Sequence, residues 1–144
     1  GDFIDYAFEV GAGGVATIKN NTISNNIGVA EVDESTSAGI LVTDYYGLGT
    51  EATITGNTIS DCTDGIDVGY LKTDKSMVVA YGNKFSGNGS HSINSTGPAV
   101  DATNNWWGSA TGPYNATTNV GGAGNAVSDN VIYRPWCSES TCAS

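Results

Sequence analysis

The chain has 144 residues, with 15 Asp plus Glu against 5 Lys plus Arg and a formal net charge of −10. That length fits one domain, and the acidity excludes nucleic acid and anionic membrane as partners, since both need a basic footprint. No apolar run reaches the ~18 residues of a membrane span, and a single histidine without any C-x-x-C excludes the usual zinc sites.

The first predicted element is GDFIDYAFEVG, residues 1–11, where Ile4, Tyr6, Phe8 and Val10 alternate with Asp5, Ala7 and Glu9. Period 2 predicts a strand with one buried face. No amphipathic helix precedes it. No basic region followed by an apolar one opens the chain, so it reads as mature protein or as a piece of a longer one.

The next element, VATIKNNTIS (15–24), recurs as EATITGNTIS (51–60), MVVAYGNKFS (77–86) and AVDATNNWWG (99–108). Asn21, Asn57, Asn83 and Asn105 share one column, at spacings of 36, 26 and 22 residues. Ile23, Ile59, Phe85 and Trp107 share another. A further strand, AGILV (38–42), aligns with DGIDV (64–68), and the segment 25–38 holds an insertion read as a looped-out excursion. Within one unit Ala52 and Ile54 point in, and Thr53 and Thr55 point out. At Gly56 the parity breaks, and the inward set becomes Asn57 and Ile59. A strand that slips phase while keeping its inward face has turned a corner, which glycine permits. Short strands, corners and a period of 20–30 residues predict an all-β solenoid of about four to six coils. The recurrent inward asparagine predicts a ladder, in which amides stacked at the ~4.8 Å strand spacing bond one another and the turn backbone.

ATITGNTIS, GIDV and especially NNWWGSATGP (104–113) resemble right-handed parallel β-helix repeat proteins of the pectate-lyase-like superfamily. The tail GGAGNAVSDNVIYRPW (121–136) is similar to the segment that closes such repeats in many secreted proteins. The resemblance implies coils over 1–113, a closing strand, loop and tail over 114–144, and an extracellular or cell-surface location. Such proteins usually carry an N-terminal cap, and none is evident. Ile4, Tyr6, Phe8 and Val10 are therefore interface candidates, to be covered by upstream coils or by another copy of the chain.

The enzymes of that superfamily act on acidic polysaccharides, the lyases with a basic residue and Ca²⁺, the hydrolases with neighbouring aspartates. Lys19, Lys72, Lys75, Lys84 and Arg134 are scattered over different columns and a loop, and no Asp-Asp pair occurs. No catalytic residue is assigned. Asp61, Asp64 and Asp67 offer hard-cation ligands for Ca²⁺, or else an aspartate-rich turn followed by a solvated, outward Asp67. Tyr45, Tyr46 and an outward Trp106 could stack on sugar rings; alternatively Trp106, Trp107 and Trp136 close the end of the core. Cys137 and Cys142 are close enough for a terminal disulfide, or all three cysteines are free. Asn20, Asn88, Asn94 and Asn115 each open an N-x-S/T sequon, which chance also produces in so polar a chain. The expectation is a structural or adhesive extracellular module, a surface filament subunit or a segment of a larger surface protein. The alternative is a carbohydrate-binding or polysaccharide-degrading β-helix.

Overall fold

The computed structural model describes residues 4–142. All regular structure among them is β. The strands are β1 Tyr6–Val10, β2 Val15–Lys19, β3 Thr22–Ser24, β4 Ala38–Val42, β5 Glu51–Thr55, β6 Thr58–Ser60, β7 Asp64–Val68, β8 Met77–Tyr81, β9 Lys84–Ser86, β10 His91–Ser95, β11 Val100–Asp101 and β12 Val131–Ile132. They form three sheets, ordered β1-β4-β7-β10, β2-β5-β8-β11-β12 and β3-β6-β9. Every pairing between named strands is parallel. Up to β9 the chain visits the sheets in the same rotation, one strand in each.

The register is that of the sequence columns. Ile18 pairs with Ile54 and Ile54 with Ala80, Ile23 with Ile59 and Ile59 with Phe85, and Ile40 with Ile66. These residues are buried in one core with Ile93 and Trp107. Neighbouring rounds thus cover one another's inner faces, because no single round encloses enough apolar surface alone. Between β2 and β3, and in the rounds that follow, the corner is held by Asn20, Gly56, Gly82 and Asn104, at φ of 58°, 68°, 67° and 61°. Only glycine and asparagine enter that left-handed region readily. The segment 25–37 leaves the sheets between β3 and β4, with an antiparallel bridge from Val29 to Thr36.

The first sheet breaks strict alternation. A Cβ on Gly65 would run into the Ser92 carbonyl oxygen and approach Ile59, and one on Gly39 would meet Ile23 and Ile59. Both glycines face the interior, as do Ile40 and Ile66 beside them. Two successive inward positions reverse the parity, so Asp64 and Asp67, three residues apart, emerge on the same outer face. Tyr6 pairs with Ala38 in the column of Asp64, and it too lies outside. This corrects the single alternating face expected for Ile4, Tyr6, Phe8 and Val10. Gly65→Ala should lower stability by about 1–3 kcal/mol, since the intruding methyl meets backbone that cannot rotate away. Gly121→Ala, with open space around its Cβ, is the control. Equal urea midpoints for the two variants would contradict the inward placement of Gly65.

At one end β1, β2 and β3 are the outermost strands of their sheets. There Phe8 and Ile4 are each 37 % exposed and Val15 is 74 % exposed, while Val10 is buried. At the other end Trp107 is fully buried and stacks on Phe85, with centroids 4.8 Å apart. The tail crosses above it, where the amides of Asn104, Asn125 and Cys137 bond the carbonyls of Pro135, Trp107 and Asn105. Trp136 packs against this core and donates its indole N–H to the Ala110 carbonyl at 3.0 Å. Cys137 and Cys142 are joined as a disulfide, and Cys62 is free and buried.

Candidate functional site

Two rows of amides tie the rounds together. In the first, Asn21 donates to Asn57 Oδ1 at 3.1 Å, Asn57 to Asn83 Oδ1 at 3.1 Å and Asn83 to Asn105 Oδ1 at 3.0 Å. Each of the inner three also bonds a carbonyl of the preceding round, at Ile18, Ile54 and Ala80. The second row runs through Asn26, Cys62, Asn88 and Asn125. Asn88 Oδ1 accepts the Cys62 amide at 3.0 Å, and Asn125 Oδ1 accepts the Asn88 side chain at 2.8 Å. Asn26 Nδ2 donates to Cys62 Sγ at 3.7 Å. This row escaped the sequence reading because a cysteine interrupts it and Asn125 comes after a long excursion.

The outer face of the first sheet carries a groove of about 880 Å³. Tyr6, Glu9, Leu41, Asp64, Asp67, His91 and Asn94 come from the sheet, and residues 33–36 of the inserted loop form one wall. The other wall is aromatic: Tyr45 meets Tyr46 at 4.8 Å and Tyr70 at 5.0 Å, both edge to face. Buried aspartates hold the loops that carry these rings. Asp74 Oδ2 accepts the Asp44 amide at 2.9 Å and the Thr43 hydroxyl at 3.1 Å, and Asp44 Oδ1 accepts the Thr50 amide at 3.0 Å. Burial opposes ionisation of Asp74, but its bonds from Ser76, Asp44 and Thr43 outweigh this and hold its carboxyl below the usual range.

At the groove floor one hydroxyl serves two carboxyls. Thr36 Oγ1 lies 3.0 Å from Asp64 Oδ2 and 3.0 Å from Asp67 Oδ2. A hydroxyl has one proton, so both contacts are hydrogen bonds only if one carboxyl is itself protonated. Asp64 accepts the His91 backbone N–H at 3.0 Å and faces its ring Nδ1 at 3.6 Å. Burial opposes its ionisation, yet bonds from His91, Asp67 and Thr36 and the charge on His91 hold its pKa below the usual range. Asp67 is only 9 % exposed, and its Oδ1 meets no donor in the described structure. Burial first, then the Asp64 charge and the bond to Asp64, push the Asp67 pKa up to about 9. Asp67 therefore carries the proton and Asp64 the charge.

These placements correct several expectations. Asp67 is outward but not solvated, because the inserted loop covers it. Asp61 is exposed, beside Gly87 at the third sheet, and does not join the other two. Asp61, Asp64 and Asp67 thus do not converge on a cation, and a protonated Asp67 is a poor Ca²⁺ ligand. No group of three or more His, Cys, Asp or Glu placed to hold a metal occurs among the described residues. The absence of a sequential Asp-Asp pair hid a spatial one. Tyr45 and Tyr46 line the groove at 61 % and 69 % exposure, whereas half-buried Trp106 bridges to Lys84 on the third sheet, away from it. Of the sequon asparagines, Asn20 is exposed and Asn94 lies in the groove. Asn88 and Asn115 are buried with their amide nitrogens engaged, to Ile59 and Asn125 and to Val127 and Asp129, so neither can carry a glycan in this fold.

No family model, curated protein or solved structure matches the chain.

Proposed function

We propose that the chain is a segment of a right-handed parallel β-helix, and that it works as an extracellular adhesive module that binds polysaccharide in the groove of the first sheet. The rotation of strands through three sheets, the asparagine row and the resemblance of NNWWGSATGP to β-helix repeats support the architecture. The observation that carries the function is the groove itself: an open channel along stacked parallel strands, with the exposed rings of Tyr45, Tyr46 and Tyr70 on one wall. Tyrosine offers an apolar face to a sugar ring and a hydroxyl to its polar edge. Binding fits the site better than cleavage. The nearest carboxyls of Asp64 and Asp67 are bridged by one hydroxyl, which leaves no place for a glycosidic oxygen or a water between them. Among the described residues, no lysine or arginine lines the groove to serve as a lyase base.

Affinity electrophoresis in gels containing soluble polysaccharides tests this reading. The wild-type chain should be retarded by at least one neutral or cationic polysaccharide. Tyr45→Ala with Tyr46→Ala should weaken that retardation about tenfold, the equivalent of ~1.4 kcal/mol. Unretarded migration in every gel would contradict it.

A further inference from the structure

The groove has a charge as well as a shape. Five carboxyl side chains line it: Glu9, Asp33, Glu34, Asp64 and Asp67. The three that reach solvent freely are Glu9, Asp33 and Glu34, at its rim. The basic side chains are not among the residues that line it: Lys19 is on β2, Lys84 on β9, Lys72 and Lys75 are exposed in the loop that follows Tyr70, and Arg134 lies over Tyr133 and Trp136 in the tail. Asp64 keeps its charge below the rim with the His91 ring Nδ1 3.6 Å away, and Asp67 holds a buried oxygen without a donor among the described residues. The Tyr6 phenol lies among these carboxyls. Burial first, and then, in the alkaline range where Asp67 has itself ionised, the charges of Asp67, Glu9, Asp33 and Asp64 push its pKa up to about 12. In a concave, partly dry site such potentials are focused rather than screened. Tyrosine faces add an attraction for cations.

Resting on the glycan-binding reading above, we propose that the ligand is a glycan bearing free protonated amino groups, a polymer of the glucosamine type. Its ammonium groups meet Glu9, Asp33 and Glu34, and its rings lie against Tyr45 and Tyr70. An acidic polyuronate is repelled by the same carboxylates. A neutral N-acetylated polymer keeps the ring contacts and loses the ionic ones.

Calorimetric titration with three hexasaccharides, of glucosamine, N-acetylglucosamine and galacturonate, in a mildly acidic buffer tests the proposal. The glucosamine hexamer should bind about tenfold tighter than the N-acetylated one, and added salt should shrink that ratio. The galacturonate hexamer should give no heat of binding. Glu9→Gln with Glu34→Gln should bring the ratio toward one. Glu51→Gln with Asp101→Asn, which removes as much charge from exposed positions outside the groove, should leave it unchanged. Equal affinity for the amino and acetylated hexamers would overturn the proposal while leaving the glycan reading in place. An equal fall of the ratio in both double variants would also overturn it, by assigning the preference to net charge. No binding of any hexamer would overturn the proposal, and together with unretarded migration in every polysaccharide gel it would overturn the glycan reading as well.

Discussion

Asn57→Leu should lower the free energy of unfolding by about 2–4 kcal/mol, the cost of opening a buried hydrogen-bonded row. Asn57 is 1 % exposed. Its Nδ2 donates to the Ile18 carbonyl at 2.9 Å, the Thr55 carbonyl at 3.2 Å and Asn83 Oδ1 at 3.1 Å. Its Oδ1 accepts the backbone and side-chain N–H of Asn21, at 2.9 and 3.1 Å. Leucine is of similar size, so little is lost in volume. What is lost is the partner of the Asn21 amide and of the buried Ile18 carbonyl. Thr53→Val is the comparison. Thr53 pairs with Val79 in the next round, so a branched apolar residue already stands in that column. Its cost should fall within ~0.5 kcal/mol. Equal shifts of urea midpoint would contradict the inward placement of Asn57.

Asp67→Asn should stabilise the protein, and more so as pH rises. The folded pKa of Asp67, about 9, lies above the ordinary aspartate value of 3.8. For a group raised in this way, the stability it contributes is fully present below the unfolded pKa and is lost as pH rises through the folded one. Each pH unit between the two removes about 1.4 kcal/mol. At neutral pH, keeping the proton on Asp67 therefore costs on the order of 4 kcal/mol relative to acid conditions. Asparagine keeps a donor for Thr36 or Asp64 and does not titrate. The gap in melting temperature between variant and wild type should widen from pH 5 to pH 8. Asp74 works with the opposite sign. Its folded pKa is depressed, so its contribution is present above the ordinary carboxylate range and lost as pH falls through the folded pKa, which leaves the pH 5 to 8 comparison to Asp67. Parallel melting curves over that range would contradict a protonated Asp67.

The strand register was legible in the sequence because each column repeats one chemistry at one depth: Ile23, Ile59 and Phe85 fill the core, and Asn20, Gly56, Gly82 and Asn104 tolerate the corner. The candidate site was not. It depends on Gly39 and Gly65 facing inward beside other inward residues, and alternation alone assigns such glycines to the outside. Once parity is taken as unbroken, Asp64 and Asp67 fall on opposite faces and cannot meet. Their burial was hidden for a second reason. The lid over them is the inserted segment 25–37, whose polar sequence carries no sign of where it folds back. Tyr45, Tyr46 and Tyr70 come together through Asp44 and Asp74, residues that sit in loops and read as ordinary turn formers. The glycine at DGIDV was the available signal, since a glycine in a strand often marks a broken alternation or a close backbone approach.

At the floor of the groove, the Thr36 hydroxyl set 3.0 Å from both Asp64 and Asp67 implies a carboxyl pair that shares one proton at neutral pH. Carbon-13 NMR of the aspartate carboxyls, with resonances assigned through Asp64→Asn and Asp67→Asn, reads it directly. At pH 7 the Asp67 carboxyl should still be protonated, titrating only in the alkaline range, while Asp64 should already be ionised. An Asp67 resonance that titrates near the ordinary aspartate value of 3.8 would contradict this.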